Sequence, residues 1–149
     1  MKRLLDMRDG TKELNILRAL DTYQQPFSVV GSYRLIDDGL RPEATVIIKA
    51  GKAEMHEAST GVGPVDALAN VLKKSLGSIF PFLDDVKLVD FASRISDTRS
   101  GTQARVEVSI IFTDGAQIWS VAAVSENINM ASFMALLDGF EYAILIKKK

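Results

Sequence analysis

One order of elements occurs twice in this chain, and that repetition limits the folds open to it more than any other feature. The first run begins with FSVVGSYRLI, in which Phe27, Val29, Tyr33 and Leu35 fall on one side and Ser28, Ser32 and Arg34 on the other. This is the two-residue period of a half-buried strand. After the turn Asp37-Asp38-Gly39, EATVIIKA alternates again, with Ala44, Val46 and Ile48 opposite Glu43, Thr45 and Lys49. Gly51-Lys52 suits a tight hairpin with glycine in its first central position. A more polar third strand, Lys52 to Ser59, follows. Beyond the glycine-rich STGVG comes PVDALANVLKKSL, whose Val65, Leu68, Leu72 and Leu76 keep helical spacing.

The second run repeats this order. VKLVDFASRI is a strand, ARVEVSIIFTDGAQIWSVAAV a hairpin closed at Asp114-Gly115, and SENINMASFMALLDGFEYAIL a helix carrying Ile128, Ala131, Leu137 and Ile144. Val46 corresponds to Val106 and Ala67 to Ala131. The expected fold is α+β: two pseudo-symmetric βββα units, 27–80 and 86–146, each an antiparallel sheet covered by one helix. A short helix over Thr11 to Gln25 precedes them. It ends before Pro26, because the residue before proline is held out of the helical region, and residues 1–25 read as a linker. A three-stranded sheet under one helix leaves an apolar face half exposed, so a dimer is expected to complete the core.

Composition excludes several classes of function. With 47% hydrophobic and 25% charged residues the 149-residue chain is globular, and a net charge of −1 provides no field for nucleic acid or acidic lipid. Lys147 to Lys149 read as a solvated tail. Without cysteine there is no disulfide, thiolate metal site or thiol nucleophile. No apolar run matches the roughly 20 residues of a bilayer span, and MKRLLDMRDGTKEL lacks the apolar stretch of a signal peptide. The expected compartment is the cytosol. His56 is the one histidine, in a strand of polar alternation, and reads as solvent-facing. Ser59, Ser120 and Ser125 lack a base, and Asp37-Asp38 and Asp84-Asp85 suit turns and caps. No catalytic residue, metal or cofactor is expected.

The segment most suited to a ligand is STGVGPVDAL, Ser59 to Leu68. Gly61 and Gly63 permit close backbone approach, Pro64 fits a first helical turn, and the N–H groups and dipole of a helix start suit a carboxylate. The same residues also serve a plain glycine-proline helix start with Asp66 as a first-turn acid. Leu88, Phe91 and Ile95 are open to two readings as well, core side chains or the wall of a small pocket beside that helix.

STGVGPVDALANVLKKSL and VSENINMASFMALLDGFEYAIL together resemble the two helix-start segments of the C-terminal regulatory domain of α-isopropylmalate synthases. The resemblance runs from about Phe27 to Leu145. The first motif stands as Gly61-Val62-Gly63-Pro64-Val65-Asp66-Ala67, the second as Val124-Ser125 followed by Ile128 to Ser132. LVDFASRI and Gly101-Thr102 followed by Ala104 fit the same family, and VSENI with DGFEYAIL is nearer to citramalate synthases. Val62 departs from it, standing where the family often has Asn or Asp.

The resemblance implies a homodimer joined to a separate catalytic barrel that condenses acetyl-CoA with a 2-oxo acid, with the present chain regulating by end-product inhibition. Isoleucine or leucine would bind near the dimer interface, its carboxylate on the N–H groups of Gly63 to Ala67 and its ammonium on Asp66 or nearby carbonyls. Val65, Leu88, Phe91, Ile95 and Val106 would line the side-chain pocket, flanked by Ala104, with Glu126 and Ile128 closing it. A dimerisation module of the same fold without a ligand is the alternative. An independent small enzyme is disfavoured by the residue inventory.

Overall fold

The computed structural model describes residues 6–97 and 105–147. Its architecture is α+β, and the strand-strand-strand-helix order occurs twice. In the first unit, β4 (Glu43–Ala50) and β5 (Ala53–Thr60) form the expected hairpin, with Ala50 opposite Ala53 across Gly51-Lys52. Ala44, Val46 and Ile48 are buried, as alternation requires of the face that meets a helix.

The segment expected as one strand over 27–36 is broken in two. β2 (Ser28–Val29) and β3 (Arg34–Ile36) lie on the same edge of β4, with Val29 facing Ile48 and Arg34 facing Thr45. Between them the outer chain carries residues that β4 does not match, and Gly31 absorbs the bend at φ 73°. The excess is even in number, so inward and outward positions keep their parity. Phe27, Val29, Tyr33 and Leu35 therefore still face the core.

The second unit is built from β6 (Lys87–Asp97), β7 (Arg105–Thr113) and β8 (Ile118–Ser125), all antiparallel. The Asp114-Gly115 turn has four loop residues, since Thr113 faces Ile118. Asp114 Oδ1 holds that loop by accepting from the N–H groups of Ala116 and Gln117. One strand had no signal in the sequence: β1 (Arg8–Asp9) pairs parallel with the free edge of β8. Two residues show no period, and only the waiting sheet edge makes them a strand.

Helix α1 (Gly10–Arg18) starts at Asp9, whose side chain accepts from Lys12 N–H at 3.0 Å, and is shorter than the expected Thr11 to Gln25. Leu14 is buried, but Leu20 is exposed and the chain loosens beyond Arg18 into single turns. A stretch with no apolar face to bury gains nothing from staying helical. Helix α2 (Pro64–Ile79) covers β4 and β5, helix α3 (Ile128–Lys147) covers β7 and β8, and the two helices pack on each other. A 3₁₀ turn, Pro81–Asp85, joins the units, with Leu83 buried and Asp84 and Asp85 exposed.

The core therefore has helices inside and sheets outside. α3 meets β7 and β8, α2 and α1, which explains why its sequence is apolar on all sides. It is long and apolar enough to cross a membrane by length and composition, but here it is the central core helix. Trp119 stacks on Phe112 at 6.0 Å and donates from Nε1 to the Gly139 carbonyl of α3.

Candidate functional site

The start of α2 is shaped by a close crossing of backbone. Gly61 is buried, and a Cβ there would overlap the Ala67 nitrogen and Cα, so only glycine lets the loop lie on the first helical turn. The Gly61 N–H donates to the Pro42 carbonyl, and the Val62 N–H donates to Asp66 Oδ2 at 2.9 Å. Gly63 caps the helix with no side-chain hydrogen bond, and space is open beside it.

This geometry narrows the set of donors. Pro64 has no N–H, and that of Ala67 is spent on the Gly63 carbonyl at 3.0 Å. Val65 and Asp66 hold the first-turn N–H groups for which a helix supplies no internal acceptor. Asp66 has one carboxylate oxygen engaged by Val62, so it braces the loop as well as carrying charge beside it. Asn70 and Lys74 tie the same helix to β5 by donating to the carbonyls of Thr60 and Ala58.

The start of α3 is different. Asn127 Oδ1 accepts from the N–H groups of Asn129 and Met130, and Ser125 Oγ accepts from that of Asn127. Asparagine at this cap satisfies the donors that glycine leaves open in α2. Glu126 and Ile128 beside it are exposed.

Leu88, Phe91 and Ile95 are not core residues, which corrects one of the two readings of the sequence. They stand on β6, the edge strand, opposite Phe112, Ile110 and Val106, and are 37, 37 and 61% exposed. They point to the helix side of the sheet, but β6 lies beyond the cover of α3, which packs on β7 and β8. Val106 is half-buried, and Ala104 lies outside the described residues. A long edge strand with exposed apolar groups is a surface that proteins normally cover. β6 and α2 make no extensive contact with each other, so one chain does not bring the two halves of the expected pocket together.

The fold forms concavities elsewhere that the sequence did not announce. One of about 730 Å³ lies between α1 and the outer face of β7 and β8, lined by Thr11, Asn15, Ile16, Ser109 and Ser120. Another, about 490 Å³, lies beside the exposed His56, against Val30, Arg34, Thr45 and Ile47. Both depend on residues distant in sequence that meet across sheet and helix, so no local motif marks them. Among the described residues, no group of three His, Asp or Glu side chains is placed to hold a metal ion. Displaced pKa values gather on the seam between α1 and α3. Burial raises Tyr142, Tyr23 and Asp138, with hydrogen bonds to Glu13 and Glu141 adding to the rise of the two tyrosines.

Comparison with known sequences matches the LeuA allosteric (dimerisation) domain over residues 15–144, nearly the whole chain. The chain belongs to that family. Its relatives include the (R)-citramalate synthase of Geobacter sulfurreducens, 41% identical over 91% of this chain and 27% of the relative. That of Aquifex aeolicus is also 41% identical, over 73% of this chain and 21% of the relative. A 2-isopropylmalate synthase from a Geobacillus species is 30% identical over 76% of this chain and 20% of the relative. As a LeuA allosteric domain, the chain thus spans about a quarter of the length of these relatives, and its place is that of a regulatory domain.

Proposed function

We propose that this chain binds a branched-chain amino acid, isoleucine or leucine, and through it regulates a citramalate or isopropylmalate synthase by end-product inhibition. The observation that carries the reading is the start of α2, where glycine replaces a capping side chain and leaves the Val65 and Asp66 N–H groups to an external acceptor. A carboxylate suits both their geometry and the positive end of the helix dipole. Asp66 is placed to meet the ammonium with the oxygen that Val62 does not engage. The wall for an aliphatic side chain comes from a second copy: exposed Leu88, Phe91 and Ile95 on β6 supply apolar surface that a dimer would bring to Val65, with Val106, Glu126 and Ile128 around it. Such a pocket separates leucine from isoleucine only weakly, since one methylene group is worth about 1–3 kcal/mol.

The synthase joined to this domain would be cytosolic and condense acetyl-CoA with a 2-oxo acid, and the predominance of citramalate synthases among its relatives favours pyruvate as that acid. A second reading, a dimerisation module without a ligand, is favoured by Val62, which is 83% exposed at the loop tip and offers no polar contact. Calorimetric titration with leucine, isoleucine and valine separates the two. Heat with one of them supports sensing, and none with any supports the pure dimeriser. Asp66→Asn keeps the bond from Val62 but removes the charge, and is expected to weaken binding about tenfold or more, with the dimer unchanged. Unaltered affinity would show that the ammonium sits elsewhere.

A further inference from the structure

The first described segment of the chain, β1 and α1, is fastened to the second unit. β1 pairs with β8, Thr11 Oγ1 accepts from the Ala122 N–H of β8 at 2.8 Å, and a Cβ on Gly10 would come to 2.7 Å from the Ser120 carbonyl. On the helix side there are two charged clasps. Arg8 makes a two-pronged bond to Glu13, which also accepts from the Tyr142 hydroxyl of α3 at 2.8 Å. Arg18 reaches Asp138 and Glu141 of α3, both at 2.8 Å, and Tyr23 donates to the other oxygen of Glu141.

Asp138 and Glu141 are the two carboxylates of α3, and both are spent on Arg18. Glu141 is buried in an otherwise apolar helix. Arg18 itself is a third exposed, so the pair is only half-buried and adds little net stability; what it supplies is one fixed arrangement. An apolar contact would let α1 slide along α3; Arg18 Nη2, shared between Asp138 and Glu141, and the Tyr23 hydroxyl permit one register. α3 also begins at Ile128, the second helix start of the proposed pocket, and from there to Glu141 it is a rigid rod about 20 Å long.

We propose that Arg18 is the positioning residue of the regulatory coupling, locking the leading segment to α3 so that a shift at the second helix start is delivered to whatever precedes β1. This rests on the regulatory reading above. In the double variant Arg18→Met/Glu141→Gln, no charge is left buried at position 141 and Tyr23 keeps an acceptor. In the full-length protein, hydrogen exchange of residues 10–18 is expected to accelerate about tenfold or more, with protection of β7 and β8 and the heat of amino-acid binding retained. The concentration for half-inhibition is expected to rise about tenfold or more, in the range of ordinary allosteric coupling, with uninhibited turnover unchanged. Arg18→Lys keeps one charged nitrogen for the two carboxylates, which both bond to Arg18 Nη2, but carries it on a shorter and more flexible stem, and should fall between. Protection of α1 equal to that of the wild type overturns the proposal, and so does inhibition that persists once α1 is released. A wild-type protein indifferent to every branched-chain amino acid refutes the sensing reading instead, and the exchange measurement still decides whether the clasp holds the segment.

Discussion

Exchanging two glycines two residues apart for alanine should have opposite consequences, and the pair tests how the α2 start is built. At Gly61 an added methyl group would meet the backbone of Asp66 and Ala67, which cannot rotate away as a side chain could. Accommodating it means lifting the loop off the helix, which breaks the bond from the Gly61 N–H to Pro42 and that from the Val62 N–H to the Asp66 carboxylate. A neutral hydrogen bond contributes about 1 kcal/mol and one to a charged group about 1.5–3 kcal/mol, so Gly61→Ala should cost about 2.5–4 kcal/mol. For a domain of this length that lowers Tm by roughly 5–15 °C.

At Gly63 nothing lies within 4 Å of the added carbon and φ is −139°, which any residue adopts. Gly63→Ala should therefore cost only about 1 kcal/mol, the difference between glycine and alanine at a helix cap. Its methyl group would nonetheless enter the open space at the helix start where the proposed carboxylate lies, so it should weaken amino-acid binding at little expense in stability. Urea denaturation followed by Trp119 fluorescence, with calorimetric titration of each variant, measures both quantities. Equal destabilisation by the two substitutions would refute the close crossing. Full affinity in Gly63→Ala would refute the carboxylate's position.

Two further outcomes follow from the same geometry. Phe91→Glu places a charge on the exposed face of β6 and should weaken the dimer by about 2 kcal/mol or more, about thirtyfold in Kd, while the monomer stays folded. Sedimentation with circular dichroism checks it, and an unchanged Kd would move the interface off β6. Tyr142→Phe removes the bond to Glu13 and should cost about 1–2 kcal/mol at neutral pH. Burial first, and then that bond, raise the Tyr142 pKa above its ordinary 10.0, so the folded protein keeps a proton that the unfolded chain loses. That contribution is complete below the unfolded pKa and is lost as pH rises through the folded one. The wild type's advantage over Tyr142→Phe should thus hold up to about pH 9 and shrink only as pH rises above 10.0, measured by urea denaturation.

The repeating βββα order, the inward faces of β4 and of the broken first strand, and the glycine-proline start of α2 were all legible from residue order. Each rests on a local cause: a two-residue period, a helical period, or a backbone that only glycine tolerates. The two motifs also sufficed to indicate the family. What residue order left undecided depends on partners far along the chain. Leu88, Phe91 and Ile95 have the composition of core residues, and only the reach of α3 over β7 and β8 leaves them on an uncovered edge. Arg8-Asp9 becomes a strand because β8 offers an edge, and α1 stops at Arg18 because apolar surface ends there. Arg18 and Glu141 stand 123 positions apart and show no shared pattern until α1 is laid against α3. Period and propensity act between neighbours in sequence, whereas burial and ion pairing act between neighbours in space, and folding alone determines which residues those are.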